Sequence, residues 1–234
     1  MGTGLGKKGR KRPAGAPVKG RKTREAIVQH ALQLAASAGL GAISIGRLAE
    51  DLHMSKSGLF IHFGSKEKLQ VAVIERAGDI FSGHVLDPAE HEVEAGIERV
   101  WVLCDHWLEF VEHRVLPGGY FFSGALFLHA EQHSLVARRI QDIAKNWVKA
   151  LRGALDEARH RCELRMNVDA ERTAFELNSL LIGAQWSRLL DHLDHSRARL
   201  AILAKLKSLA TEKIPADAFD SVMAWRHYLG TRPK

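Results

Sequence analysis

Residues Ser44 to Lys66 read S-I-G-R-L-A-E-D-L-H-M-S-K-S-G-L-F-I-H-F-G-S-K. Two short helical patterns lie in this stretch, joined by a turn too tight for anything but a helix-turn-helix. Ser44 is placed to cap the first, whose buried positions are Ile45, Leu48, Ala49 and Leu52, at i, i+3, i+4 and i+7. His53 and Met54 follow, and Ser55 is the second N-cap. Leu59, Phe60 and Phe63 give the second helix an apolar side, which leaves Lys56, Ser57, Ile61 and His62 facing outward. A helix this short buries too little to stand alone. Carried by its neighbours, it suits the DNA major groove.

The flanks supply those neighbours. Thr23 to Ala38 predicts a first helix, capped by Thr23 and ended by Gly39, with Ile27, Ala31, Leu34, Ala35 and Ala38 as its apolar stripe. Gly64 closes the third helix, and Ser65 caps a fourth that runs through Leu69, Val73, Ile74, Ala77 and Ile80 to about Ser82. The head thus spans 23–82, with the helix-turn-helix at about 44–63. Asp87-Pro88-Ala89-Glu90 combines a cap, a proline at the first helical position and an early Glu, and predicts a helix with Ile97, Val100, Trp101, Cys104, Leu108 and Val111 along one side. Pro117-Gly118-Gly119 breaks the chain, and Tyr120 to Leu128, apolar almost all round, predicts a buried helix. Ser134 to about Arg161 is long, with Ile140, Ile143, Ala144, Trp147, Leu151 and Leu155 inward.

Two further helices differ from these. Asp169 caps one holding Phe175, Leu177, Leu180, Leu181, Gly183, Ala184 and Trp186, and Ser196 to Thr211 carries Leu200, Leu203, Leu206 and Leu209. The first has more apolar surface than one internal face needs. Residues 169–211 therefore predict half of a four-helix bundle completed by a second copy. Pro215 ends regular structure, and 215–234, with Phe219, Met223 and Trp225, reads either as a short amphipathic helix or as a tail. The fold class is all-α: an N-terminal three-helix helix-turn-helix domain, then a larger helical ligand-binding and dimerisation domain over 83–214.

Composition agrees. The chain has 234 residues, enough for a real core, with 46% hydrophobic and 26% charged residues and 6 prolines, as a soluble helical protein would. Cys104 and Cys162 lie far apart and suggest neither a disulfide framework nor a zinc ribbon. Met1 to Arg24 lacks the apolar centre of a signal peptide, and no window has the roughly 18 apolar residues of a membrane span, so a cytoplasmic protein is expected. The net charge of +7 is unevenly placed. Residues 1–24 hold nine cations and no acid, which leaves 25–234 at −2. A basic arm over 1–22 is expected, either solubilising or neutralising phosphates by counterion release. Gly4 to Gly9 and Gly15 to Gly20 match the first six places of a phosphate-binding loop. Both continue with Arg, at Arg10 and Arg21, and neither follows a strand, so no nucleotide site is read there.

Taken together, Thr23-Arg24-Glu25, the Gly39 break, Ser44-Ile45 before Arg47-Leu48-Ala49, Met54 to Phe63, and Ser65-Lys66-Glu67-Lys68-Leu69 resemble the tetracycline-repressor (TetR) family of transcriptional regulators. Pro117 to Phe122 also looks like a block seen in the effector domains of one branch. The resemblance implies a three-helix DNA-binding head, a fourth helix joining it to a ligand domain, and a homodimer formed through the final helices on a palindromic double-stranded DNA operator. Ser44, Lys66 and His62 fall where family members contact phosphate, and Lys56 and Ser57 where bases are read. Arg47 and Ser55 complete the expected DNA-facing set. The physics agrees, since helix N-termini and cations favour phosphate oxygens and Lys can donate to guanine edges. Phe60 replaces a frequent Tyr and is read as core. His53 stands where Gly is common and predicts a different turn conformation.

A hydrophobic or aromatic small-molecule effector is expected, lined by Trp101, Leu108, Phe121, Phe122, Phe127, Trp147, Leu151 and Trp186, with Asp105, His106, Ser123 and Gln185 as candidates for a polar end. The same aromatic residues at helical spacing also read as plain core. His129 with His133, and His192 with His195, have spacings that invite a metal, but the acid of H-E-x-x-H is misplaced and further ligands are lacking. No metal, cofactor or catalytic residue is expected. A metal-sensing regulator and a non-specific DNA binder using the arm alone stay open as rival readings.

Overall fold

The computed structural model describes residues 16–91, 93–116, 121–129, 134–191 and 195–231. Helix α1 is Ala16–Ala38, α2 Ile45–Asp51, α3 Lys56–Phe63 and α4 Lys66–Phe81. The helix-turn-helix therefore lies where its caps predict it. Ser44 accepts from the Arg47 backbone N–H, Ser55 from Gly58 and Ser65 from Lys68, at 3.0–3.1 Å. Each cap satisfies one of the donors that a helix start leaves without a partner. Gly64 takes the left-handed conformation, φ 73°, that ends α3.

α1 corrects the sequence reading twice. It begins at Ala16, so Thr23 lies inside it and the basic segment through Lys22 is partly helical. Its buried stripe is Ile27, Val28, Ala31, Leu32 and Ala35, while Leu34 is half-buried and Ala38 exposed. These residues meet Leu40, Ile43, Leu48, Leu59 and Leu69 in the head core.

α4 packs on α1 at one end and on the body at the other. After it comes a π-helical turn, Ser82–Leu86, that runs straight into α5, Asp87–His91. The Asp87-Pro88 signal thus opens no new helix. The backbone at Asp87 is already helical, and its carboxylate accepts from Ser82 Oγ at 2.9 Å. The body continues with α6 Ile97–Glu112, α7 Phe121–His129, α8 Leu135–His160, α9 Ala170–Asp191 and α10 Ser196–Leu209. Asp169 caps α9 as read from sequence, and Ser134, read there only as the start of its helix, caps α8. Pro117 to Tyr120 lies outside the described residues. α7 is less enclosed than its composition predicts, since Leu128 is exposed.

Among the described residues no strand forms, only one antiparallel bridge between Leu164 and Ala210. That bridge belongs to a junction of three helix ends. The fully buried Glu163 carboxylate accepts from the Ile97 N–H at 2.8 Å and so caps α6 from far along the chain. The Glu163 carbonyl accepts from Thr211 N, and Leu209 O accepts from Arg165 N, both at 3.0 Å. Gly96 sits against the carboxylate with φ 116°, and a Cβ there would stand 2.2 Å from Glu163 Oε2.

Residues 216–231 settle onto the body as a 3-10 turn, Ala216–Phe219, and α11, Val222–Thr231. Trp225 is fully buried against Trp101, Phe219 and Tyr228. This segment is a folded part of the core.

Two glycines separate steric need from chance. Gly96→Ala is expected to destabilise the chain by about 3 kcal/mol, through left-handed strain and the clash with Glu163. Gly153→Ala, on the open side of α8 with nothing near its added methyl, is expected to stabilise it by about 0.5–1 kcal/mol. Urea denaturation of the two variants measures both.

Candidate nucleic-acid interface and ligand cavity

The turn between α2 and α3 is built on His53. Its φ is 51°, so the backbone holds the left-handed conformation that glycine would favour, and the expected change of turn conformation does not occur. His53 N–H donates to Glu50 O, and Met54 N–H to Ala49 O, which closes α2 and aims α3. Leu59 and Phe63 anchor α3 in the core, and the Arg24 guanidinium lies 5.0 Å from the Phe63 ring centre. Phe60, read as core, is instead half exposed, and Ile61 is 83% exposed. The buried side of so short a helix has room for only two large residues, one turn apart.

That arrangement leaves a mixed outward face on α3, with Phe60 and Ile61 beside Lys56 and Ser57. Lys56 and Ser57 are exposed in the first turn of α3, and the Lys56 stem lies over Gly46 at the start of α2. Ser44, Ser55 and Lys66 stand at three helix starts, and Lys66 Nζ donates to Gly41 O at 3.4 Å. Arg47 is exposed with Asp51 3.9 Å away, and His62 is half-buried in the last turn of α3. Ser55 Oγ lies 3.3 Å from Ser57 Oγ. The hydroxyl oxygens of Ser44 and Ser55 are used in capping.

The body encloses a cavity of about 140 Å³ between α4, α6, α7, α8 and α9. Phe122, Trp147 and Gln185, all read from sequence as effector residues, line it together with Ser123. Phe81, Trp107, Phe110, Asn178 and Ile182 line it too, and sequence reasoning missed them. The available signal was Asn178 and Gln185 at i, i+7, two amides on one side of an apolar helix. Phe81, the last residue of α4, makes edge-to-face contacts with Phe110, Phe122 and Trp147 at centroid distances of 5.4–5.9 Å.

The other expected lining residues lie elsewhere. Trp101 is buried against Trp225, and Leu108 and Leu151 are wholly enclosed by the core. Phe121 is buried beside Phe122 without facing the cavity. Trp186 is half exposed on the outside of α9. The side chain of Phe127 lies outside the described residues, as do His133 and His192. His106 does not line the cavity.

Asp105 has another task. Its carboxylate takes Arg199 Nε at 2.6 Å and Arg226 at 3.1 Å, while Arg199 also grips Glu112 at 3.0 Å, one helical repeat along α6. Burial alone would push the Glu112 carboxyl up. Hydrogen bonds from Arg199 and the His195 N–H, with the charges of both residues, hold it below the usual carboxylate range. Burial likewise works against the Arg199 cation, and Glu112 and Asp105 overcome it and raise its pKa. This buried network clamps α10 and α11 to α6.

A capped helix-turn-helix head joined by one helix to a body with an apolar cavity defines the class: a helix-turn-helix protein with a separate helical body. A family model described as "Bacterial regulatory proteins, tetR family" matches residues 27–73, and one described as "Tetracyclin repressor-like, C-terminal domain" matches residues 96–202. The chain belongs to the TetR family of DNA-binding transcriptional regulators.

Solved structures share the fold. A TetR transcriptional regulator from Chloroflexus aurantiacus is 20% identical with a TM-score of 0.64, covering 92% of this chain and 98% of that one. A putative transcriptional regulator from Saccharomonospora viridis, solved in complex with choline, is 17% identical with a TM-score of 0.70, covering 82% and 100%. AibR, solved with isovaleryl coenzyme A and operator DNA, is 21% identical with a TM-score of 0.59, covering 80% and 97%. No helix among the described residues is long and apolar enough to cross a membrane.

Because His53 bears left-handed strain, His53→Gly is expected to leave the head intact and to raise its stability by about 1 kcal/mol. His53→Val, β-branched at the same φ, is expected to lower it by a similar or larger amount. Thermal melts followed by circular dichroism distinguish the two.

Proposed function

We propose that this chain is a ligand-responsive repressor that binds a palindromic operator as a homodimer. The observation that carries the reading is the capped α2–α3 pair, which holds Lys56 and Ser57 exposed at the N-terminal end of α3, the end that reads base edges in helix-turn-helix proteins. Ser44, Ser55 and Lys66 supply helix starts, and Arg47 and His62 supply donors, for phosphates on either side. The solved relative AibR, described with both an acyl coenzyme A and operator DNA, supports a head coupled to a ligand site.

The homodimer rests on α9 and α10. Phe175, Ile182 and Trp186 are exposed on α9, and Leu200 on α10, while Ser179 and Gly183 beside them are small enough for a partner helix to approach closely. Two heads brought together in this way would enter successive major grooves. The effector is a hydrophobic or aromatic small molecule in the cavity, and it acts by favouring one spacing of the heads over another.

Selection of sites from random DNA tests the reading. A palindrome should be enriched, bound by two chains at least about 10³-fold more tightly than unrelated DNA. Failure to enrich any site, with binding that collapses steeply in salt, would leave only the basic arm as a non-specific contact.

Two substitutions sharpen the outcome. Lys56→Ala should cost about 1–3 kcal/mol at the selected operator and relax the preference at one base pair per half-site, whereas a uniform loss across sequences would make Lys56 a phosphate contact. Phe175→Glu, on the exposed side of α9, should shift the chain to monomer in sedimentation and weaken operator binding. A dimer that survives it would place the interface elsewhere.

A further inference from the structure

We propose that the cavity selects a small, uncharged, largely apolar molecule that carries one oxygen acceptor, hydrogen-bonded by the side-chain amide of Asn178. The inference deepens the effector reading above and rests on it only for its regulatory consequence.

The donor is fixed by chemistry. Trp147 Nε1–H donates to Asn178 Oδ1 at 2.8 Å. An indole N–H can only donate, so the amide oxygen must be the end that faces Trp147. Asn178 lines the cavity, and its Nδ2 end, turned away from Trp147, is the end that we assign to a ligand. A ligand carbonyl, ester or ether oxygen satisfies one of its N–H donors. A group that can only donate finds no acceptor at the Nδ2 end. On the same wall Ser123 Oγ donates to Gln185 Oε1 at 2.7 Å, which uses the Ser123 proton and the Gln185 amide oxygen.

The described lining offers a charge no partner. Among the described residues that line the cavity there is no Asp, Glu, Lys, Arg or His. An ion entering it would lose its hydration with no opposite charge in return, a loss far larger than one neutral hydrogen bond can offset. The charged side chains of the body, Asp105, Glu112 and Arg199, are instead bound to one another on the opposite side of α6.

Size and shape follow from the walls. The volume is close to that of the apolar cavity of about 150 Å³ known to admit benzene. The walls of Phe81, Phe110, Phe122 and Trp147 suit a flat ring or a short branched chain. A single ring with one acceptor matches that volume.

Calorimetric titration of the full chain with four one-ring probes tests this: acetophenone, ethylbenzene, benzoate and 1-phenylethylammonium. Acetophenone should bind about tenfold more tightly than ethylbenzene, the worth of one neutral hydrogen bond, and the two ions should not bind over the same range. Asn178→Leu should bring the acetophenone-to-ethylbenzene ratio to about one while ethylbenzene still binds. Trp147→Phe, which keeps a ring but frees the amide to turn, should narrow the ratio. An unchanged ratio in Asn178→Leu, binding of benzoate as tight as that of acetophenone, or no binding by any probe would overturn the assignment. Acetophenone bound through Asn178 without any effect on operator binding would uphold the ligand class and overturn the effector role.

Discussion

Phe81 is the side chain on which the two halves of the molecule meet. α4 begins in the head, where Ser65 caps it and Leu69 packs into the head core, and it ends in the body with Phe81 as a wall of the cavity. Three edge-to-face contacts hold that ring, each contributing about 0.5–1.5 kcal/mol beyond its burial. Against a total stability of about 5–15 kcal/mol for a domain, that is a substantial share at one position. The same ring thus sets the end of the helix that carries the head and the shape of the cavity. A molecule that fills the cavity cannot leave the end of α4 indifferent unless it fits the space as it stands.

The other walls yield less readily. α6 is held at its start by the buried Glu163 carboxylate and toward its end by the Arg199 link between Asp105 and Glu112. Breaking a buried ion pair leaves an uncompensated charge and costs several kcal/mol, so α6 moves only together with α10. The Ser82–Leu86 segment between α4 and α5 differs, because a π-helical turn is a looser hydrogen-bonded form found as single turns at functional positions. Physical asymmetry follows: a clamped α6 on one side of Phe81 and an adaptable joint directly after it.

What could be read from the sequence divides along the same line between local and long-range physics. Ser44, Ser55, Ser65 and Asp169 were legible as caps because a cap acts on residues two or three places ahead. Gly64 was legible because only glycine enters the left-handed region freely. The Asp87-Pro88 signal misled, since its neighbours were already helical, and the true start of α6 depends on Glu163, 66 positions beyond Ile97. Trp101, Leu108 and Asp105 share the helix that lines the cavity but face its other side. Their destinations were set by Trp225 and Arg199 on later elements, which periodicity cannot pair. The cavity was half legible: the aromatic and amide residues of α7, α8 and α9 could be named, whereas Phe81 belonged to a helix assigned to the head. Residues 215–234 were ambiguous for the same reason, because a ten-residue helix is marginal alone and α11 gains its place from burial of Trp225.

α9 brings the two proposed interactions onto one element. Asn178 and Gln185 face the cavity, and Phe175 and Trp186 face outward, with Ile182 at the boundary as both a lining residue and an exposed one. This explains why the helix shows so little amphipathic contrast in sequence: large apolar residues stand both toward the cavity and on its outer side, with polar residues on each. Linkage then imposes a condition on any effector. If a bound molecule shifts Ile182 or turns α9, it changes the surface on which a second chain would sit, and pairing of the chains must change ligand affinity by the same factor. A ligand that reaches only Phe81 would act on one head at a time. One that also presses on Ile182, which lines the same cavity, would act on both heads through the contact proposed between the chains.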